Sequence, residues 1–322
     1  MTTELQHRYI DVNGVRLHIA EQGEGPLVML LHCFPECWYS WRHQFEPLSR
    51  AGFRVVAPDQ RGYGRSDQPD DVEAYSILHL VGDVVQLMGA LGEDRAVVVG
   101  HDWGAPVAWT TSLLRPDLVR GVAGLSVPPT PRGSRPPSGS MRTRFGEGYY
   151  QLYFQTPGVA EEELSRDVRA TIRRMMYGAS GDRDAAGATL PVVRPGQGFL
   201  DLMPEPENLP GWLTEADLDA YTAEFSASGF TGPLNWYRNL DRNWELTAAW
   251  TGALPHVPAL YVKGDRDLVP ATPGAAQLID ALPKLLPDLR GIVTLPGCGH
   301  WTQQERPDEV TAALLDFLVQ LD

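Results

Sequence analysis

The sequence predicts an α/β fold, with a mostly parallel central sheet, helices on both faces and an inserted helical segment. Three observations predict it. Short β-branched and aliphatic runs alternate with stretches of helical spacing, the rhythm of parallel strands joined by right-handed crossovers. Runs such as Leu27-Val28-Met29-Leu30-Leu31 are apolar at every position, as in strands covered on both faces. After Leu125 the rhythm stops in Pro128-Pro129-Thr130-Pro131 and resumes only at Pro258.

The elements follow in order. Tyr9 to Val12 and Val15 to Ile19 flank Asn13-Gly14, a hairpin signal. Leu27–Leu31 is a central strand, and Arg54-Val55-Val56-Ala57-Pro58 is the next. Ser76 to Leu91 carries helical spacing through Leu80, Val84, Leu87, Met88 and Leu91. Val97-Val98-Val99 is a buried strand, and a small-residue helix follows it. Leu118 to Leu125 continues the sheet. Helical and aromatic sequence then runs from Met141 to about Trp250, interrupted by a Pro/Gly-rich loop from about Gly187 to Pro210. Pro258–Lys263 and Gly291–Leu295 are the last strands, and Thr311–Leu321 is a closing amphipathic helix. The organisation expected is a core in two parts, residues 1–135 and 249–322, with a helical lid over 136–248.

Composition narrows the classes of function. The chain has 322 residues, 43% of them hydrophobic, enough for a sizeable core. Its formal charge of -14 argues against nucleic acid and anionic membrane as partners. The polar N-terminus lacks the apolar core of a signal peptide, and no apolar run reaches membrane-spanning length. Three cysteines without Cys-x-x-Cys spacing argue against zinc and disulfide frameworks and point to a reducing compartment. The expectation is a cytoplasmic protein with no membrane insertion, monomeric or homodimeric.

The chemistry centres on Gly100-His101-Asp102-Trp103-Gly104, between the Val97–Val99 strand and the following helix. Glycines two residues either side of a reactive side chain in a strand-to-helix turn form a nucleophile elbow, where flanking Cβ atoms would collide with backbone. The central residue is Asp, whose carboxylate needs no base to attack an electrophilic carbon and form an ester. An ordinary junction with an N-capping Asp is the plainer alternative.

Partners decide between them. Hydrolysis of the ester needs a base, and His300 sits in the loop Gly297-Cys298-Gly299-His300-Trp301 after a late strand, where such folds place chemistry. A carboxylate should orient it. Gly264-Asp265-Arg266-Asp267 offers two, and Gly-x-x-Asp spacing puts Asp267 at the acid position with Asp265 as competitor. Backbone N–H groups of Phe34 and Trp103 would face the developing oxyanion.

Several motifs together resemble the soluble epoxide hydrolases of the α/β-hydrolase superfamily, over nearly the whole chain. They are His32-x-Phe34-Pro35 with Trp38-x-Ser40-Trp41-Arg42, and Asp59-x-Arg61-Gly62-Tyr63-Gly64-x-Ser66. The elbow, Tyr149 to Gln155, Phe230-x-Gly232-Pro233-Leu234-Asn235-Trp236-Tyr237-Arg238-Asn239 and Gly299-His300-Trp301-x-Gln303 complete the set. The resemblance implies the α/β-hydrolase fold, a small apolar epoxide and water as substrates, and no metal or organic cofactor. It also implies two lid tyrosines that hold the epoxide oxygen. Residue-wise matching puts these at Tyr150, with Tyr149 and Tyr153 as competitors, and at Tyr221. Periodicity alone reads Leu218, Tyr221 and Phe225 as one core-packing helix face. Pro35, Trp38, Gln151 and Trp301 are expected in the pocket wall. Cys33 stands where the family usually has Gly, which puts the fit of the Phe34 N–H in question. A thiol there would also expose the site to thiol reagents, unless it is a buried filler. A dehalogenase using the same Asp, with indole N–H groups on the halide, is the alternative chemistry. A receptor on a hydrolase scaffold is the alternative class.

Overall fold

The computed structural model describes residues 4–183 and 191–321. The part of the expected Gly187–Pro210 loop before residue 191 lies outside them.

Among the described residues eight strands form one sheet: β1 (Gln6–Val12), β2 (Val15–Gln22), β3 (Leu27–Leu31), β4 (Arg54–Pro58), β5 (Ala96–His101), β6 (Val119–Leu125), β7 (Ala259–Gly264) and β8 (Leu289–Leu295). Their order is β1-β2-β4-β3-β5-β6-β7-β8. The β1–β2 and β2–β4 pairs are antiparallel and the rest parallel. Asn13, with φ +47, and Gly14, with φ +76, turn the first hairpin, because both central positions of such a turn need the left-handed region.

The central strands β3 and β5 are buried at every position, matching their unbroken apolar sequence. Each of Val97, Val98 and Val99 contributes about 1.5–3 kcal/mol through that burial. Helices cover the sheet in two groups. Ile77–Ala90 packs on Gly104–Leu114, and Phe45–Arg50 packs on Pro307–Leu318. No helix among the described residues is long and apolar enough to cross a membrane.

Between β6 and β7 lie Pro137–Phe145, Tyr150–Tyr153, Val159–Ser165, Val168–Ala179, Glu215–Ser228, Thr231–Arg238 and Leu240–Leu246. This segment is fastened to the rest by polar and main-chain contacts. Arg42 Nε lies 3.0 Å from Asp217 Oδ1, and the Trp236 indole donates to the Arg61 carbonyl at 3.0 Å. The Gly-rich loop 59–67 has its reason here. A Cβ on Gly232 would lie 2.5 Å from the Gly62 carbonyl oxygen, so two backbones touch where only glycine fits.

Candidate active site

The sharp turn after β5 puts Asp102 at φ +43, in the left-handed region that costs a non-glycine residue energy. The flanking glycines are required by space. A Cβ on Gly100 would lie 2.0 Å from the Gly104 carbonyl oxygen, and one on Gly104 would lie 2.2 Å from the Leu31 oxygen. The Asp102 N–H donates to the Leu125 carbonyl at 3.1 Å, and its own carbonyl accepts from the Ala105 N–H at 3.0 Å. The strained residue is therefore tied to β6 and to the following helix.

His300 stands between two carboxylates. Its Nε2 is 3.4 Å from Asp102 Oδ2, and its Nδ1 is 3.2 Å from Asp267 Oδ1. Asp265 instead accepts from the Gly297 N–H at 2.8 Å in an exposed turn. Asp267 caps the short helix Leu268–Ala271 by accepting from the Val269 N–H at 3.0 Å. Ser126 steadies the pair: its hydroxyl donates to Asp267 Oδ2 at 2.6 Å, and its oxygen lies 3.1 Å from His300 Nδ1. Ser126 takes φ +68, and its carbonyl accepts from the Tyr261 hydroxyl at 2.7 Å.

The electrostatics follow from this arrangement. Burial alone would raise the Asp102 carboxyl, but the hydrogen bond and charge of His300 outweigh it and hold it below the usual range. Burial would likewise raise Asp267, and the His300 charge brings it down. Burial would lower His300, and the two carboxylates raise it well above the ordinary histidine value.

The loop after β3 is held from both sides. His32 Nε2 accepts from the Gln60 N–H at 3.0 Å, so its Nδ1–H donates to the Cys33 carbonyl at 2.9 Å. Glu36, wholly buried, accepts from the Cys33 N–H at 3.3 Å and from Gln304 Nε2 at 2.7 Å. His101 faces two acceptors: Glu36 Oε2 at 3.1 Å from Nδ1 and the His300 carbonyl at 2.7 Å from Nε2. This buried pair ties the loop to the elbow and the base. Burial would raise the Glu36 carboxyl, and the His101 charge and hydrogen bond bring it below the usual range. The Phe34-Pro35 peptide is cis, and Cys33 does not take a positive φ, so its Cβ fits the loop.

Two cavities meet at Asp102. The narrower, about 110 Å³, includes Phe34, Phe154, His300 and Trp301 in its wall. The wider, about 530 Å³, includes Trp103, Tyr149 and Gln151. Asp102, Tyr150 and Tyr237 line both. The Tyr150 hydroxyl accepts from Gln151 Nε2 at 2.9 Å, and the Tyr150 and Tyr237 rings are 6.3 Å apart. The Trp103 ring packs edge-on to Tyr237, with centroids 5.1 Å apart. Burial first, with the Asp102 charge adding to it, raises both phenols well above 10, so both stay protonated at neutral pH. Tyr149 reaches only the wider cavity, and the Tyr153 hydroxyl donates to Glu163 Oε2 at 2.7 Å.

Three expected site residues lie elsewhere. Tyr221 is wholly buried and absent from both cavity walls. Its hydroxyl donates to Gln304 Oε1 at 2.9 Å, because the inward face of helix Glu215–Ser228 meets Tyr39 and Gln304, not the elbow. Tyr237, on Thr231–Arg238, lines both cavities where Tyr221 lines neither. Trp38 packs edge-on to His7, Tyr39 and Phe45 and touches neither cavity. Pro35 is also outside both walls. Sequence reasoning passed over Tyr237, although it lies inside the Phe230–Asn239 motif, whereas Tyr221 lies in none. It also passed over Glu36, His101 and Ser126, whose partners are distant in the chain. Of the lid indoles, Trp212 donates to Ser180, Trp236 to Arg61 and Trp244 to Gly133, so those three are not directed at Asp102 to hold a halide.

Comparison with known proteins agrees with this geometry. The alpha/beta hydrolase fold family matches residues 26–307. Epoxide hydrolase A of Mycobacterium tuberculosis is 50% identical, over 98% of each chain. An epoxide hydrolase from an endophytic Streptomyces superimposes with a TM-score of 0.95 at 47% identity, covering 98% of this chain and 96% of the other. Epoxide hydrolase A from Mycobacterium thermoresistibile gives 0.92 at 49% identity, over 99% of each chain.

Proposed function

This chain belongs to the epoxide hydrolases of the α/β-hydrolase fold family, and from that premise we propose a two-step route by which it converts an apolar epoxide and water to a vicinal diol. The observation that carries the reading is the pair of phenols, Tyr150 and Tyr237, lining the same two cavities as the Asp102 carboxylate.

In the first step an Asp102 oxygen attacks an epoxide carbon, the C–O bond opens, and an ester forms. The oxygen would leave as an alkoxide, a poor leaving group. The two protonated phenols donate hydrogen bonds to it and one supplies a proton. Esterification removes the Asp102 charge, one of the two that raise His300. His300 can then release its proton, which restores the phenol through water, and act as a base. In the second step neutral His300, oriented by Asp267 and Ser126, takes a proton from water. The hydroxide attacks the ester carbonyl, the N–H groups of Trp103 and Phe34 support the oxyanion, and the diol leaves. Helices within 136–248 act as the lid that carries the phenols, between core parts 1–135 and 249–322. Apolar walls at Phe34, Phe154 and Trp301 suit an apolar substrate. Three free, buried cysteines suit a reducing, cytoplasmic setting.

A single turnover in heavy-oxygen water tests the route. The first diol should carry ordinary oxygen donated by Asp102. Heavy oxygen in that diol would mean direct attack by water and would end the covalent reading.

A further inference from the structure

Cys33 has no part in the reaction above, yet its sulfur sits at the reacting centre. Among the described residues two trios could hold a metal ion, and both include it: Cys33 with Asp102 and His300, and Cys33 with Glu36 and His101. In each, the ligand atoms lie within 4.8 Å of one another. The second trio is sealed: all three residues are wholly buried, and Glu36 is already occupied by His101, Gln303, Gln304 and the Cys33 N–H. The first trio opens to the narrow cavity through Asp102 and His300.

We propose that Cys33, Asp102 and His300 form a binding site for a soft or borderline divalent cation such as Zn²⁺ or Cd²⁺, which stops the enzyme by taking both its nucleophile and its base.

The geometry is close to what such an ion needs. Zinc bonds of about 2.0–2.3 Å in a tetrahedron give ligand-to-ligand edges of roughly 3.3–3.8 Å. The His300 Nε2 to Asp102 Oδ2 edge is already 3.4 Å. The Cys33 backbone is held by His32 at its carbonyl and by Glu36 at its N–H, so the adjustment falls on the side chain. The thiol donates to the Phe34 carbonyl at 3.0 Å, and its sulfur lies within 4.8 Å of an Asp102 oxygen. On binding, the thiol and the His300 imidazolium each give a proton to solvent, and the thiolate and the freed Nε2 take the metal in their place. A thiolate and a carboxylate then balance the 2+ charge in a buried site, with neutral imidazole as the third ligand. The fourth position faces the cavity and is left for water. Sulfur with nitrogen and oxygen favours Zn²⁺ and Cd²⁺ over Mg²⁺ or Ca²⁺, which prefer oxygen alone. With Nε2 bound to the ion, His300 has no lone pair for water, and an Asp102 oxygen on the same ion is a poor nucleophile.

The test is direct titration of the full chain with Cd²⁺, following the ultraviolet Cd–thiolate charge-transfer band. The expected result is a band that saturates at one equivalent and is lost in Cys33→Ala and Cys33→Gly. It should persist in Cys37→Ser and Cys298→Ser. Asp102→Asn keeps the fold and all three cysteines, and should weaken the Cd²⁺ midpoint about tenfold or more. In parallel, Zn²⁺ should block diol formation from styrene oxide at a concentration about tenfold or more below that needed for Cys33→Ala. Equal Zn²⁺ sensitivity, a band that survives the Cys33 substitutions, or a midpoint unmoved in Asp102→Asn would overturn the site. The band is read without turnover, so a failure of the hydrolytic route would not be mistaken for a failure of the metal site.

Discussion

Tyr221 and Tyr237 lie on consecutive helices and are alike in most respects. Both are buried, and burial lifts both phenols well above 10. They differ in where the hydroxyl ends. That of Tyr221 ends on Gln304, a side chain also bonded by Arg42 at 2.6 Å, in a joint between the inserted helices and the sheet domain. That of Tyr237 belongs to a ring that packs edge-on to Trp103 and lines both cavities. Burial and a high pKa therefore do not separate a fastening phenol from one that lines the cavities. The atom at the tip of the hydroxyl does.

Substitutions can break or sharpen this contrast. The largest effect is expected for Tyr150→Phe combined with Tyr237→Phe. With no proton donor for the alkoxide, alkylation of Asp102 should slow about 10⁴-fold, read by single-turnover quench. Tyr237→Phe alone should slow the same step about 100-fold, while hydrolysis of a preformed ester changes little. Full alkylation by Tyr237→Phe would break the contrast.

A pH profile sharpens it next. The base must be neutral, so ester hydrolysis should fall about tenfold per pH unit once pH drops below the His300 value in the ester. Asp102 is held below the usual carboxylate range, so it stays ionised and alkylation persists to lower pH. Ester should therefore accumulate on acidification of the wild-type protein, seen as added mass on intact chains. In Tyr237→Phe alkylation limits the rate, and the acid limb of turnover should move to lower pH. The smallest effect is Tyr221→Phe, with turnover within about twofold and a stability loss of about 0.5–1.5 kcal/mol in urea titration. A Tyr221→Phe protein that folds but cannot alkylate would reverse the assignment.

What was legible in the sequence was what short-range sterics determine. The elbow glycines could be read because any Cβ at either position meets backbone within a few residues of it or on the adjacent strand. The Asn13-Gly14 hairpin and the apolar strands β3 and β5 could be read for similar local reasons. Tyr221 shows where this ends. Helical phase identifies an inward face, but not whether that face meets the elbow or the Tyr39 loop. Trp38 failed likewise, because its ring packs on His7, a residue 31 positions away whose approach sequence spacing does not reveal. Glu36 and His101 were invisible as a pair because 65 residues separate them.

The contact between Gly62 and Gly232 has a practical consequence. Main chain meets main chain there, five positions before Tyr237, so the phenol is located by a bare backbone stop. Residues of the cavity walls can be exchanged for bulk or shape without resetting that stop. For anyone reshaping substrate preference, Met175 is an adjustable surface, and the glycine pair is the datum from which every adjustment is measured.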